Sequence, residues 1–519
     1  MILIASAAYI GLEFQAEMGV VLPCMLPIGN KKILEHQVAT LKQTFPNEKI
    51  VLSIPESYQL TINERDIIRQ LSIVVRPVPD QFSLAEAVLY VLNIENTDQY
   101  ETIRVLHGDT LIWDLPTDQD VIAVAKHSRQ YNWYGETLQT GEQVIWAGFF
   151  AFSSRITLIR ALAISKGDFV TAINRYREDF GIVSKKVQQW YDCGHINTYF
   201  EARASITTQR SFNHLTIADG LVTKSSDNAR KISSEIYWFQ HIPSHLIRFT
   251  PQFIAANTDT DNPSYTLEYL SILPLNEIYV HGRNTAEVWQ TIFKLLQGYF
   301  TVAKTGFVDC DKTLLDKIAL DSAKLYRNKT LLRLQQFSEA SGIHLDQAIC
   351  YKGKQLGTIT AIAEHCIEKT LSLPCVPTVM HGDLCFSNIL FDVRAQRIKL
   401  IDPRGIDEND SITILGNQTY DLAKLAHSVI GMYDFIIAGR YELVKIDDHY
   451  EIEFRRDERL RTIQSLFLST QFIDGLTTKR ILPAVVLLFL SMLPLHSDRP
   501  DRQQAMLANA FRLYHDFLA

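Results

Sequence analysis

The stretch Val379-Met380-His381-Gly382-Asp383-Leu384-Cys385-Phe386-Ser387-Asn388-Ile389-Leu390 sets an Asp and an Asn five positions apart, ahead of an apolar strand. Phosphoryl transfer needs a carboxylate to accept the proton of the attacking hydroxyl. It also needs oxygen ligands that hold magnesium against the phosphates. Asp383 and Asn388 supply one of each from a single loop. Downstream, Ile398-Lys399-Leu400-Ile401-Asp402-Pro403-Arg404-Gly405 ends an apolar strand on a second carboxylate, Asp402. Each fragment alone occurs by chance. In this order, with Asp402 fourteen residues after Asn388, they form a specific signal.

The spacing follows the kinase pattern His-Arg-Asp-x-x-x-x-Asn. Residues 208 to 519 resemble the aminoglycoside phosphotransferase and choline kinase family, which has a protein-kinase-like fold. The resemblance implies Asp383 as catalytic base, Asn388 and Asp402 as ligands of Mg2+, and ATP as the phosphoryl donor. Tyr420-Asp421-Leu422-Ala423-Lys424 resembles the helix that follows the metal-binding Asp, with Asp421 orienting the catalytic loop. On the nucleotide side, Leu221-Val222-Thr223-Lys224 reads as a strand ending in Lys224, and Glu235 follows on a helix. Kinases use such a pair on the α- and β-phosphates; a surface Lys and a surface Glu is the alternative. Thr266-Leu267-Glu268-Tyr269-Leu270 resembles the hinge that meets adenine, which makes Glu268 and Tyr269 ATP-binding positions. Ser211-Phe212-Asn213-His214 stands where a glycine-rich loop is expected and holds no glycine. The acceptor pocket is expected from the insert between Phe307 and Leu373, including Tyr326 to Thr330 and Arg333. Any one of these polar residues suits a solvated helix face equally well.

Residues 1 to 205 follow a different pattern. Short β-branched runs (Ile2–Ala5, Ile50–Ile54, Ile73–Val78, Ile103–Leu106, Val121–Ala125) alternate with helical stretches such as Ile33–Thr44, Glu64–Gln70 and Leu84–Leu92. This alternation predicts an α/β domain with a largely parallel, Rossmann-like sheet. Leu22 to Gln37 resembles the sugar-nucleotide pyrophosphorylases (nucleotidyltransferases). That resemblance implies metal ligands at Asp109 (His107-Gly108-Asp109) and Asp192 (Asp192-Cys193-Gly194). It implies substrate contacts at Gly148 (Trp146-Ala147-Gly148) and Lys32. Two features depart from the family: Ile4 to Gly11 lacks its Gly-x-Gly and Arg, and Cys24 occupies the position of its signature Lys. Loss of a cation facing a phosphate costs transition-state stabilisation, which Lys31 or Lys32 replaces only in part.

The expected fold class is therefore α/β plus α+β. A nucleotidyltransferase-like domain (1–205) precedes a two-lobed kinase-like domain (206–519), its N-lobe at about 206–275 and a mostly helical C-lobe at about 276–519. At 519 residues, 47% hydrophobic and 21% charged, the chain is globular and too long for one core. A net charge of −7 gives no reason to expect nucleic acid. Seven scattered cysteines without CxxC spacing suggest reduced thiols and a cytoplasmic setting. The N-terminus reads as a first strand rather than a signal peptide. Ile481 to Leu495 is apolar but carries Pro483 and Pro494, so a buried helix is expected rather than a membrane span.

The expected partners are a nucleotide and a small-molecule acceptor (a sugar, polyol or amino alcohol); homo-oligomerisation is left open. The leading functional expectation is a bifunctional enzyme of surface-polysaccharide (capsule) precursor synthesis, which phosphorylates an acceptor and joins the product to a nucleotide. One alternative is an active kinase with a non-catalytic nucleotide-sugar-binding domain. Another is an assembly protein without catalysis.

Overall fold

The computed structural model describes residues 1–95, 101–126, 133–206, 214–259, 262–305 and 311–519. Two compact units result, one of residues 1–208 with 281–283 and one of residues 209–280 with 284–519.

In the first unit the apolar runs become neighbouring strands. Ile2–Ala5 pairs in parallel with Ile50–Pro55 on one side and Ile103–His107 on the other. Val74–Val78 extends the first flank in parallel. On the second flank Gln143–Phe152 runs antiparallel to Ile103–His107 and to Val121–Lys126, which Val183–Lys186 joins in parallel. Strands covered on both faces read as continuous apolar runs, and Ile2, Leu3 and Ile4 are wholly buried. The flanking helices begin at capping boxes, the first at Ile62, two residues ahead of the expected Glu64, and the second at Leu84. Thr61 and Ser83 accept from the N–H groups of Glu64 and Glu86, whose carboxylates bond back to the cap N–H groups. A β-bulge between Trp146 and Phe150 breaks the regular register of the long strand, and Gly148 takes φ +80° within it.

The second unit begins with a four-stranded antiparallel sheet of His214–Ala218, Leu221–Ser225, Ser264–Glu268 and Phe253–Asn257, in that spatial order. Asp219 and Gly220 both take positive φ, 52° and 74°, and close the first hairpin. The helix Ala229–His241 packs on this sheet, and a larger, mainly helical lobe follows. In it, Leu273–Pro274, Ile389–Asp392 and Arg397–Leu400 form a narrow antiparallel strip that carries the catalytic-loop sequence. Thr478–His496 is apolar and long enough to cross a membrane by length and composition, and 67% of it is buried in the fold. Its helical centre, Leu482–Met492, is buried from Leu482 through Leu490.

The C-lobe departs from the expected mostly helical pattern. Lys354–Thr358, Ala348–Tyr351, His449–Glu453 and Glu442–Ile446 form a further four-stranded sheet. Ile349, Tyr351, Tyr450 and Ile452 point inward on alternate positions, and Lys352-Gly353 and Asp447 supply positive-φ turns. Ala348–Tyr351 and His449–Glu453 bury two residues each and the other two strands none, too short a run for period two to stand out.

Candidate active site

The loop His381–Asn388 runs directly into the strand Ile389–Asp392 and is fastened to the helix Gln418–Val429. Asp421, in the first turn of that helix, accepts from the backbone N–H of His381 through Oδ2 and of Gly382 through Oδ1, both at 2.8 Å. Gly382 takes φ +78°, and a Cβ there would lie 2.6 Å from the Arg404 side chain. His381 is wholly buried, and burial pushes its imidazole down to about 4. The neutral ring donates from Nε2 to the Ile401 carbonyl at 3.0 Å and accepts from the Asp383 N–H at Nδ1, 3.3 Å away; the tautomer follows from these partners. It thus ties the base to the strand end that carries Asp402.

Asp383 receives Asn388 Nδ2 on its Oδ2 at 2.9 Å and the Lys424 ammonium on its Oδ1 at 2.7 Å. Burial alone would raise its pKa, but Lys424 outweighs that and holds the carboxyl down at about 2. Asn388 Nδ2 also bonds the Asp383 carbonyl at 2.9 Å, and its Oδ1 accepts from the Ser387 hydroxyl at 3.3 Å. Asp402 sits at φ +57° with its side chain 43% exposed. Its carboxylate and Asn388 Oδ1 are hard oxygen donors of the kind magnesium takes, and magnesium fills its other positions with water and substrate phosphate. The described residues therefore fit that ion without the cluster of three His, Cys, Asp or Glu side chains that is absent among them.

From the small sheet, Lys224 Nζ reaches Glu235 Oε2 at 2.8 Å and Asp402 Oδ1 at 2.9 Å. Lys224 and Glu235 are both buried, and Tyr265 donates its hydroxyl to the same Glu235 oxygen at 2.6 Å. Burial would lower the ammonium, but Asp402 and Glu235 raise it, so the cation is held charged between the two lobes. The helix carrying Glu235 is fastened to the loop region by Ser234 Oγ donating to the Arg404 carbonyl (3.0 Å) and Trp238 Nε1 to that of Met380 (2.9 Å). Glu268 ends the strand Ser264–Glu268 and Tyr269 follows it; their N–H groups bond the carbonyls of Gln252 (2.9 Å) and Gly220 (2.8 Å). Those two donors are engaged within the sheet. Of Ser211–His214, only His214 lies within the described residues.

In the first unit, Asp109 and Asp192 converge: a Cβ on Gly194 would lie 2.4 Å from Asp109 Oδ2 and 3.3 Å from Asp192 Oδ1. Burial, then the neighbouring Asp192, raises the Asp109 carboxyl to about 6. Asp192 accepts from the Thr198 hydroxyl (2.5 Å) and the Gly194 N–H (3.1 Å), and lies 3.1 Å from His195 Nδ1. Gly148 faces the same strand ends, where a Cβ would meet Thr110 Oγ1 at 2.8 Å and the His107 ring at 3.3 Å. Lys32 is turned inward, 3% exposed, and its ammonium lies 3.1 Å from the Met25 carbonyl and 3.5 Å from Glu64. Cys24 is fully buried, its thiol pushed up to about 12 by that burial.

In the sequence Lys424 stands out only as part of a helix; its contact with Asp383 gives it a place in the site. The signal lies in Tyr420-Asp421-x-x-Lys424, which puts Asp421 and Lys424 three residues apart on one helix face. A cavity of about 80 Å3 opens beside Lys424, lined among others by Tyr326, Lys329, Arg333 and His427. These come from the expected insert and from the helix after Asp402.

No family model matches the chain, and no curated protein matches it. Among solved structures, the chain is similar to the nucleoside-diphosphate-sugar pyrophosphorylase of Vibrio cholerae RC9, at 16% identity over 39% of this chain and 99% of that one, TM-score 0.34. It is similar to the inositol-1-phosphate CTP transferase of T. maritima, at 13% identity over 40% of this chain and 96% of that one, TM-score 0.30. It is also similar to APH(2")-IIa in its streptomycin–ATP ternary complex, at 12% identity over 60% of this chain and 90% of that one, TM-score 0.36.

Proposed function

We propose that residues 209–519 form an ATP-dependent kinase acting on a small molecule. The observation that carries this reading is the chain of contacts Glu235–Lys224–Asp402, which ends beside the loop that presents Asp383 and Asn388. Asp383 accepts the proton of the acceptor hydroxyl as its oxygen attacks the γ-phosphorus, and the bond to the β-phosphate oxygen breaks to release ADP. Lys224 grips the α- and β-phosphates, held at the right height by Glu235. Lys424 offsets charge gathering on the transferred group. Asn388 and Asp402 would hold magnesium through an amide and a carboxylate oxygen, and the ion would supply positive charge against the phosphates. Glu268 and Tyr269 border the adenine through groups other than their engaged N–H donors. A screen of alcohols with ATP and magnesium tests the reading, with Asp383→Asn as control. ATP consumption that survives this substitution sinks it.

We propose further that Asp109 and Asp192 hold a metal ion for a nucleotide, with Gly148 leaving room for its sugar, in a nucleotidyltransferase. The two activities are consecutive, so the whole chain would work in the cytoplasm on a precursor of a surface polysaccharide such as a capsule. A second reading has a specific observation behind it. Lys32 is engaged with Glu64 and Met25, and Cys24 stands where a cation is expected, so the first unit would bind a nucleotide sugar without turning it over. Pyrophosphate release by the full chain decides between them. Bifunctionality requires a release that Asp109→Asn abolishes and Asp383→Asn leaves intact; nucleotide-sugar binding without any release favours the binding domain.

A further inference from the structure

The cavity beside Lys424 has a one-sided charge. Lys329, Arg333 and Lys424 line it, and among the described residues no Asp or Glu does. Just outside it, Lys329 lies 3.1 Å from Glu408, and Arg404 bonds the same carboxylate. Lys424 has Asp383. Arg333 donates to the carbonyl of Ser491 at 3.0 Å and has no ion pair among the described residues. Four cations therefore share two carboxylates. Burial, together with Arg404 and Arg333, lowers the Lys329 ammonium to about 8, as expected where positive charge is in surplus.

Buried polar atoms in the same cavity wait for partners. His427 is 1% exposed, and neither ring nitrogen has a hydrogen-bond partner among the described residues. The Tyr326 hydroxyl is likewise buried and unpartnered. Buried groups of this kind are nearly always satisfied in native proteins, by protein, water or ligand. Tyr326 lies in a π-helical segment, Lys324–Asn328, that leads straight into the helix bearing Lys329 and Arg333. Such segments cost helix geometry and recur at functional sites. The far wall is apolar, from Leu487, Leu488 and Leu495. At roughly 10–15 Å3 per water on this measure, the cavity's volume of about 80 Å3 suits a small molecule.

We propose that the acceptor is a small hydroxylated anion, its carboxylate or phosphate-type oxyanion bound by Arg333 and Lys329 and its hydroxyls by His427 and Tyr326. This rests on the kinase reading of residues 209–519 and names the substrate class of that same site. Apart from Asp383, which faces the reacting hydroxyl, an amino alcohol or polycationic sugar would find three cations and, among the described residues, no carboxylate lining this cavity. A neutral polyol would leave Arg333 without a counter-charge.

The test compares matched alcohols on the full chain: glycerate, glycerol 3-phosphate and glycerol; gluconate, 6-phosphogluconate and glucitol; ethanolamine. Binding is read by calorimetry without ATP, and turnover as ATP-dependent phosphorylation. The acid of a set is expected to bind and react in preference to its neutral partner. The carboxylate and phosphate arms identify which oxyanion is used. Loss of one charge-assisted contact in Arg333→Gln should weaken that binding about 10- to 100-fold while leaving KM for ATP unchanged. Turnover of neutral or cationic alcohols with no Arg333-dependent binding of any acid overturns the proposal and leaves the kinase standing. Arg333-dependent binding of an acid without phosphorylation leaves the anion site standing and removes the kinase reading.

Discussion

The ammonium of Lys424 lies 2.7 Å from Oδ1 of Asp383, so the carboxylate that would take the acceptor's proton is already paired with a cation. The pairing keeps Asp383 ionised despite its surroundings. It also places positive charge where a transferred phosphoryl group would pass. Lys424→Met should lower kcat by about 10²- to 10³-fold, the usual cost of one such electrostatic contact. Combined with Asp383→Asn the losses should not add, because the two side chains act as one unit. Additive losses in single-turnover assays would show that they act separately.

Glu235 holds Lys224 from behind while Asp402 holds it from the front. Glu235→Gln keeps the shape and removes the charge, and Tyr265 can still donate to the amide oxygen. The ammonium is then free to lean toward Asp402. KM for ATP should rise about 10-fold, the size of one weakened charge-assisted bond, with a smaller change in the KM of the acceptor. Initial rates at varied ATP measure this; an effect confined to the acceptor would contradict it.

Gly405 takes φ +63°, and a Cβ there would lie 2.0 Å from the Ser234 carbonyl oxygen. That backbone lies inside the helix Ala229–His241, directly before Glu235, and has nowhere to yield. Gly405→Ala should cost about 2 kcal/mol or more. Gly439→Ala is the control. Its φ of +69° is similar but nothing lies within 4 Å of the added carbon, so strain alone operates and costs roughly 1 kcal/mol. Thermal melts compare the two, and equal losses would mean that the contact with Ser234 is unimportant.

Asp434 is 4% exposed, its Oδ2 has no partner among the described residues, and burial raises its carboxyl to about 7. The folded chain thus holds this proton when the unfolded chain, with an ordinary Asp near 3.8, has lost it. Stability from this group is full below pH 4 and is lost as pH rises toward 7. Every tenfold difference in proton affinity between the two states is worth about 1.4 kcal/mol. Asp434→Asn, which mimics the protonated form, should remove this slope and be more stable than the parent at pH 8. Urea unfolding at pH 5 and pH 8 checks the sign.

Much of the candidate site was legible because its parts are local. Asp383, Asn388 and Asp402 lie within one loop and one hairpin, and the turn and strand that present them are written in the same twenty-odd residues. The parallel strands around Ile2–Ala5 were legible for a similar reason, since burial on both faces leaves unbroken apolar runs. The short hairpins at Ala348–Thr358 and Glu442–Glu453 were not, because Ala348–Tyr351 and His449–Glu453 bury only two residues each and their partner strands none, too little pattern to read.

The sequence by itself determined which candidate groups are at hand: two carboxylates and an amide at loop spacing, a strand Lys and a helix Glu upstream of them, and two further carboxylates in an α/β domain. Only the tertiary structure decided which charges meet. It turned Lys32 inward beside Glu64, brought Lys424 to Asp383, and gathered Lys329, Arg333 and His427 around one cavity. Residue type sets what a side chain can do, but a charge acts according to its neighbours and its burial. Those neighbours come from distant parts of the chain, and no spacing along it records them.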